Sequence, residues 1–267
     1  MILRLQVCGR TACARRLALG LVLALAFSGA APGTDAKGVE LFIAEDYKGA
    51  ARAFEESVQE RPDDAESLVW LGRAYGRRAE RATGVAKLGA FSLARKVRVC
   101  FERAVEADPG YLPGLGALLS FYIDAPTIVG GGIEKARGIA DQIAKADRAG
   151  GLRARAAIHR AQGTTAEAET LIREAIELQP HEVGHQLALA SLLSRAGRFD
   201  ESDNLFGELS KQHRGSPQVW YSRASELVRA ERKPDQARRL LERYLSAPLD
   251  GPDAEPYSDA RKLLEKL

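Results

Sequence analysis

Beyond its first thirty residues, the chain carries apolar side chains three or four positions apart, in blocks broken by turn residues. The clearest pair of blocks is 101–122, FERAVEADPGYLPGLGALLSFY. Leu93, Val97, Phe101, Ala104 and Val105 fall on one face of a helix. Pro109 cannot extend that helix, because it lacks an N–H and clashes with the preceding turn. Leu115, Leu118, Leu119 and Tyr122 then resume the same spacing. The pattern predicts helix, turn and helix, and similar pairs recur to the C-terminus, so the expected fold class is all-α.

The period is about 34 residues. Its strongest copy starts at Ala65, AESLVWLGRAYG, and through Trp70, Leu71, Gly72 and Tyr75 it resembles the tetratricopeptide-repeat family. The resemblance implies units of two antiparallel helices, A and B, a small residue where they cross, and a proline ending B. Gly72 fills the small position, Phe101 and Ala104 the core of helix B, and Pro109 the end. The expected units are 31–64, 65–111, 112–148, 149–182, 183–216 and 217–250, with a capping helix over 256–267. Gly38, Tyr47, Ala50, Phe54 and Pro62 mark the first. Ala156, Gly163, Ala168, Ala175 and Pro180 mark the fourth; in the fifth, Arg214 replaces the closing proline. A hairpin cannot bury its apolar stripe alone, so stacked units make one continuous core, a right-handed superhelix in that family.

Two units are longer than the period. Between Tyr75 and Val97 there are about thirteen extra residues, which a lengthened helix pair would absorb. Residues 124–135, DAPTIVGGGIEK, hold about five more, and Pro126 with Gly130, Gly131 and Gly132 make this a loop. Loops on rigid scaffolds often carry function, so these four residues are binding candidates. The alternative is a connector that tolerates glycine.

The opening thirty residues read differently. Arg4, Arg10, Arg15 and Arg16 precede an apolar run, LALGLVLALAF, and small residues at 28–30. This is the pattern of a cleaved secretory signal peptide, and the run falls short of the roughly 20 residues of a membrane span. Export to a periplasm is the expectation, with an uncleaved membrane anchor as the alternative. Of 39 basic and 36 acidic residues, the segment holds 4 basic and none acidic, leaving 35 against 36. A net charge of −1 removes the case for nucleic acid as a partner. Cys100 alone survives cleavage, so no internal disulfide can form. In an apolar helix, Cys100 reads as a buried, inert thiol.

Little in the chain points to catalysis. His181, Glu182 and His185 spell HExxH, which on a helix would hold zinc between two imidazoles with the glutamate as base. Pro180 places His181 in a turn instead, so a zinc peptidase is only a remote alternative. The reading of Glu182 is a favourable charge at a helix N-terminus. The glycines at 130–132 lack the Lys-Ser/Thr pair of a phosphate loop. No cofactor and no metal are expected.

The resemblance implies that partner segments lie in a concave groove lined by the A helices. Its groove positions carry Arg73, Arg77, Arg153, Arg160, Ser191, Arg195, Tyr221, Ser225 and Arg229. Arginine forks suit carboxylates, so an acidic peptide or a C-terminal carboxylate is the expected guest. The bland alternative is a solvated helix face. With Val69 and Gly116 where lysines would be wanted, the carboxylate clamp of chaperone-binding members is not reproduced. The function expected is a non-enzymatic scaffold for a protein or peptide. A component binding a small ligand, or serving a transporter, is the second reading.

Overall fold

Short turns interrupt the chain between one helix and the next, and the apolar stripes between them are too narrow to be buried alone. The computed structural model describes residues 33–83, 87–248 and 255–267, and the segment 1–30 read as a signal lies outside them. The described residues are all-α, with thirteen α-helices, one 3₁₀ turn and no strand.

The helices pair in order as A and B: α1 Gly33–Ile43 with α2 Tyr47–Glu60, α3 Ala65–Glu80 with α4 Lys87–Ala107, and α5 Leu112–Asp124 with α6 Ile133–Ala146. There follow α7 Arg148–Ala161 with α8 Thr165–Leu178, α9 Val183–Arg195 with α10 Phe199–Gln212, and α11 Pro217–Arg229 with α12 Pro234–Ser246. The final helix, α13 Tyr257–Leu264, packs on α11 and α12.

Small residues set the crossings. A Cβ on Gly72 would lie 2.4 Å from the Phe101 ring, and one on Gly38 would lie 2.7 Å from Phe54. The rings of Phe54 and Trp70 stack at 5.7 Å and Phe42 meets Trp70 edge-on at 5.2 Å, tying α1, α2 and α3 into one core. Where the A helix turns into B, the chain enters the left-handed conformation: at Glu45 (φ 63°), Gly130 (φ 102°), Gly163 (φ 80°), Gly197 (φ 78°), and at both Glu231 (φ 52°) and Lys233 (φ 46°) in the last turn.

The A helices touch one another in series, α1 to α3 to α5 to α7 to α9 to α11, whereas the B helices make no contact with each other among the described residues. A layer that touches is shorter than one that splays, so the stack curves with its A helices inside. Residues of the long second pair extend α3 by a last turn and α4 by its first ten residues, with 84–86 outside the described set.

Candidate functional site

The concave face is lined by the A helices, and the nine residues expected there sort into three groups. On α7, Arg153 and Arg160 are exposed and form no ion pair among the described residues. On α9 and α11, Arg195 and Arg229 are not open cations. Both bind Glu226, whose side chain is only 7% exposed: Arg195 Nη2 to Oε1 at 3.1 Å and Arg229 Nη2 to Oε2 at 2.7 Å. Arg229 also donates to Ser194 Oγ at 3.1 Å. Ser191 is half-buried on α9. The expected row of arginines thus carries a carboxylate, Glu226, between two of its members.

The third group lies where the two ends of the stack meet. Arg77, on the last turn of α3, donates from Nη2 to Glu255 at 3.2 Å and from Nη1 to Asp259 at 3.3 Å, and its Nη1 also reaches Glu80 at 3.0 Å. One turn on, Arg81 donates to Ser258 Oγ at 2.6 Å and pairs with Glu45. Glu45 in turn accepts from the Ser258 backbone N–H at 2.7 Å. That N–H belongs to the first turn of α13, where a helix has unsatisfied donors and favours an anion. Burial pushes the Glu45 carboxyl up, but hydrogen bonds from Arg81 and Ser258 outweigh it and hold the group below its ordinary value. Tyr221 stands close by on α11: burial first, then the charges of Glu255 and Asp259, push its phenol up to about 12, while a hydrogen bond with Ser225 opposes them. Arg73 is half-buried on α3, one turn before Arg77. A shallow cleft of about 380 Å³ opens beside this junction, lined by Glu45, Tyr47, Lys48, Arg78, Arg81 and Leu93 among others.

Two of the three glycines in the loop at 124–135 have a structural reason to be glycine. Gly130 sits at φ 102° in the left-handed region with the Arg98 side chain over it, and a Cβ on Gly131 would lie 1.8 Å from the Ala125 carbonyl oxygen. Gly132 N–H donates to the Tyr122 carbonyl at 2.8 Å and Lys135 to that of Gly130 at 3.0 Å. Pro126 precedes the 3₁₀ turn Thr127–Val129, whose Val129 is buried and whose Ile128 is 69% exposed.

The HExxH residues do not converge. His181 lies in the turn before α9, and Glu182 N-caps that helix, accepting from Gly184 N–H at 3.2 Å. His185 is buried against Gln179, its Nε2 3.1 Å from Oε1. No group of three metal-ligating side chains occurs among the described residues. Burial pushes the Cys100 thiol up to about 11, so at neutral pH it is protonated and a poor nucleophile. No helix among the described residues is long and apolar enough to cross a membrane.

The description tetratricopeptide repeat is matched over residues 36–84 and again over 159–226. Among solved structures, the chain is similar to a thermophilic repeat protein of Thermus thermophilus, with 24% identity over 73% of this chain and 97% of that one and a TM-score of 0.54. It is also similar to a repeat protein of Parabacteroides merdae, with 13% identity over 87% of this chain and 96% of that one and a TM-score of 0.51. No curated protein matches it in sequence.

Proposed function

Because the chain is a tetratricopeptide-repeat protein, we propose that it is a non-enzymatic scaffold that holds an acidic protein or peptide segment against its concave face. Repeats of this kind suit protein interaction, since a curved stack offers a long surface and no enclosed pocket. The observation that carries the acidic specificity is Arg77, whose guanidinium already holds carboxylates supplied by another part of the chain. Arg153 and Arg160 add two exposed cations on the same face. Export to an envelope compartment is part of the proposal, and it rests on the basic and apolar opening of the sequence.

The test is crosslinking capture from the cell envelope of the source organism, read by mass spectrometry. An Arg153→Glu/Arg160→Glu variant touches exposed positions and keeps the fold. One protein enriched by the wild type and lost with this variant is the expected result. A folded variant that captures the same protein equally well overturns the groove reading.

A further inference from the structure

We infer that Arg77 is a carboxylate site which the chain fills with its own C-terminal segment, and that an acidic partner segment competes with Glu255 and Asp259 for it. The inference rests on the groove-binding reading above and adds to it a built-in competitor.

The two edges of α13 are held in different ways. Ala260 is fully buried, and Tyr257, Leu263, Leu264 and Leu267 pack with it against Ala224, Leu241 and Tyr244 of the last pair. The opposite edge, Ser258 and Asp259, together with Glu255 just before the helix, meets α3 and the α1–α2 turn through hydrogen bonds and ion pairs, and the apolar clusters of the two ends do not join. Burying an apolar side chain stabilises a contact far more than a solvated ion pair does. The side chains of Arg77, Glu255 and Asp259 are 25%, 44% and 26% exposed, so water reaches this joint. When the closed circuit of helices opens, it therefore parts between α3 and α13, and α13 stays on α11 and α12.

Arg77 is occupied in a manner that a guest must undo. Nη1 faces Asp259 and Glu80, and Nη2 faces Glu255. A bidentate carboxylate from a partner needs both nitrogens of the fork. Glu80 comes from the same helix and is largely solvated, so displacing it changes nothing globally; displacing Glu255 and Asp259 separates the ends. Binding of an acidic segment and opening of the stack are then one equilibrium, and the internal carboxylates lower the apparent affinity by the fraction of time they hold the site.

The test uses the full chain and a fluorescent hexaglutamate peptide at low salt. A Glu255→Gln/Asp259→Asn variant is expected to bind at least about fivefold tighter than the wild type, and Arg77→Gln in that background to remove the gain. Glu45→Gln, which loosens the Ser258 contact without touching Arg77, is expected to shift affinity in the same direction by less. Equal affinity of the wild type and the double variant, or a gain that survives Arg77→Gln, overturns the competition alone. No binding to any form overturns the acidic-guest reading with it.

Discussion

The Tyr122 phenol donates to the Glu102 carboxylate at 2.8 Å, and one unit earlier Tyr75 donates to Glu55 at 2.5 Å. Both pairs are twenty residues apart and join helix B of one unit to helix A of the next. Burial first, then the carboxylate, push Tyr122 up to about 12 and Tyr75 higher still. Tyr122→Phe leaves the packing and removes the donor. Since Glu102 is 32% exposed and can be rehydrated, the expected loss is about 0.5–1.5 kcal/mol in urea denaturation. Tyr122→Leu, which also loses the ring, should cost more.

Gly72→Ala puts a methyl group into the Phe101 ring at the crossing of α3 and α4. Overpacking of this kind costs about 1–3 kcal/mol. Gly116→Ala on α5, where nothing lies within 4 Å of the new carbon, should be neutral or stabilising. Thermal unfolding of the two variants side by side gives the comparison.

These crossings were legible in the sequence, because a period of small and apolar residues follows directly from helices that must pack on neighbours. Gly72, Phe101 and Ala104 take their places from that period alone. The joint between α3 and α13 does not. Arg77 and Asp259 are 182 residues apart, and periodicity fixes how adjacent units meet but not how much the stack curves over six of them. Glu226 escaped for another reason: a glutamate on a helix reads as solvated surface, and only the flanking Arg195 and Arg229 explain its burial.

His185 gives the fold a sensitivity to acid. Burial, and then the nearby Arg153 charge, hold its imidazole below the ordinary value of 6.5, so the folded protein favours the neutral ring. The unfolded chain binds the proton first. Stability from this group is therefore full above pH 6.5 and falls as the pH drops through that value towards the folded one. A His185→Gln variant should show a smaller loss between about pH 7.5 and about pH 5.5 than the wild type, read as the difference in urea midpoints.

Glu45 and Glu231 both adopt the left-handed conformation that Gly163 and Gly197 take at the equivalent turns. That conformation costs a residue with a side chain about 1–2 kcal/mol, of which glycine returns part as unfolded-state entropy. Glu231→Gly should stabilise the protein by about 0.5–1 kcal/mol. Glu45→Gly relieves the same strain but deletes the acceptor for Ser258 and the partner of Arg81, so its gain should be smaller or reversed. Thermal unfolding of both variants decides it.

A curved stack whose second pair presents Arg77 and Arg81, and whose C-terminal segment presents Glu255, Ser258 and Asp259, has ends that match each other. Matching ends can be satisfied within one molecule or by the next molecule in line, and the second choice repeats without limit unless the rotation closes. Intramolecular contact wins because the acidic end is tethered at high effective concentration. The side chains that close the stack, Arg77 on Glu255 and Asp259 and Arg81 on Ser258, therefore occupy within one molecule the groups through which copies could meet head to tail.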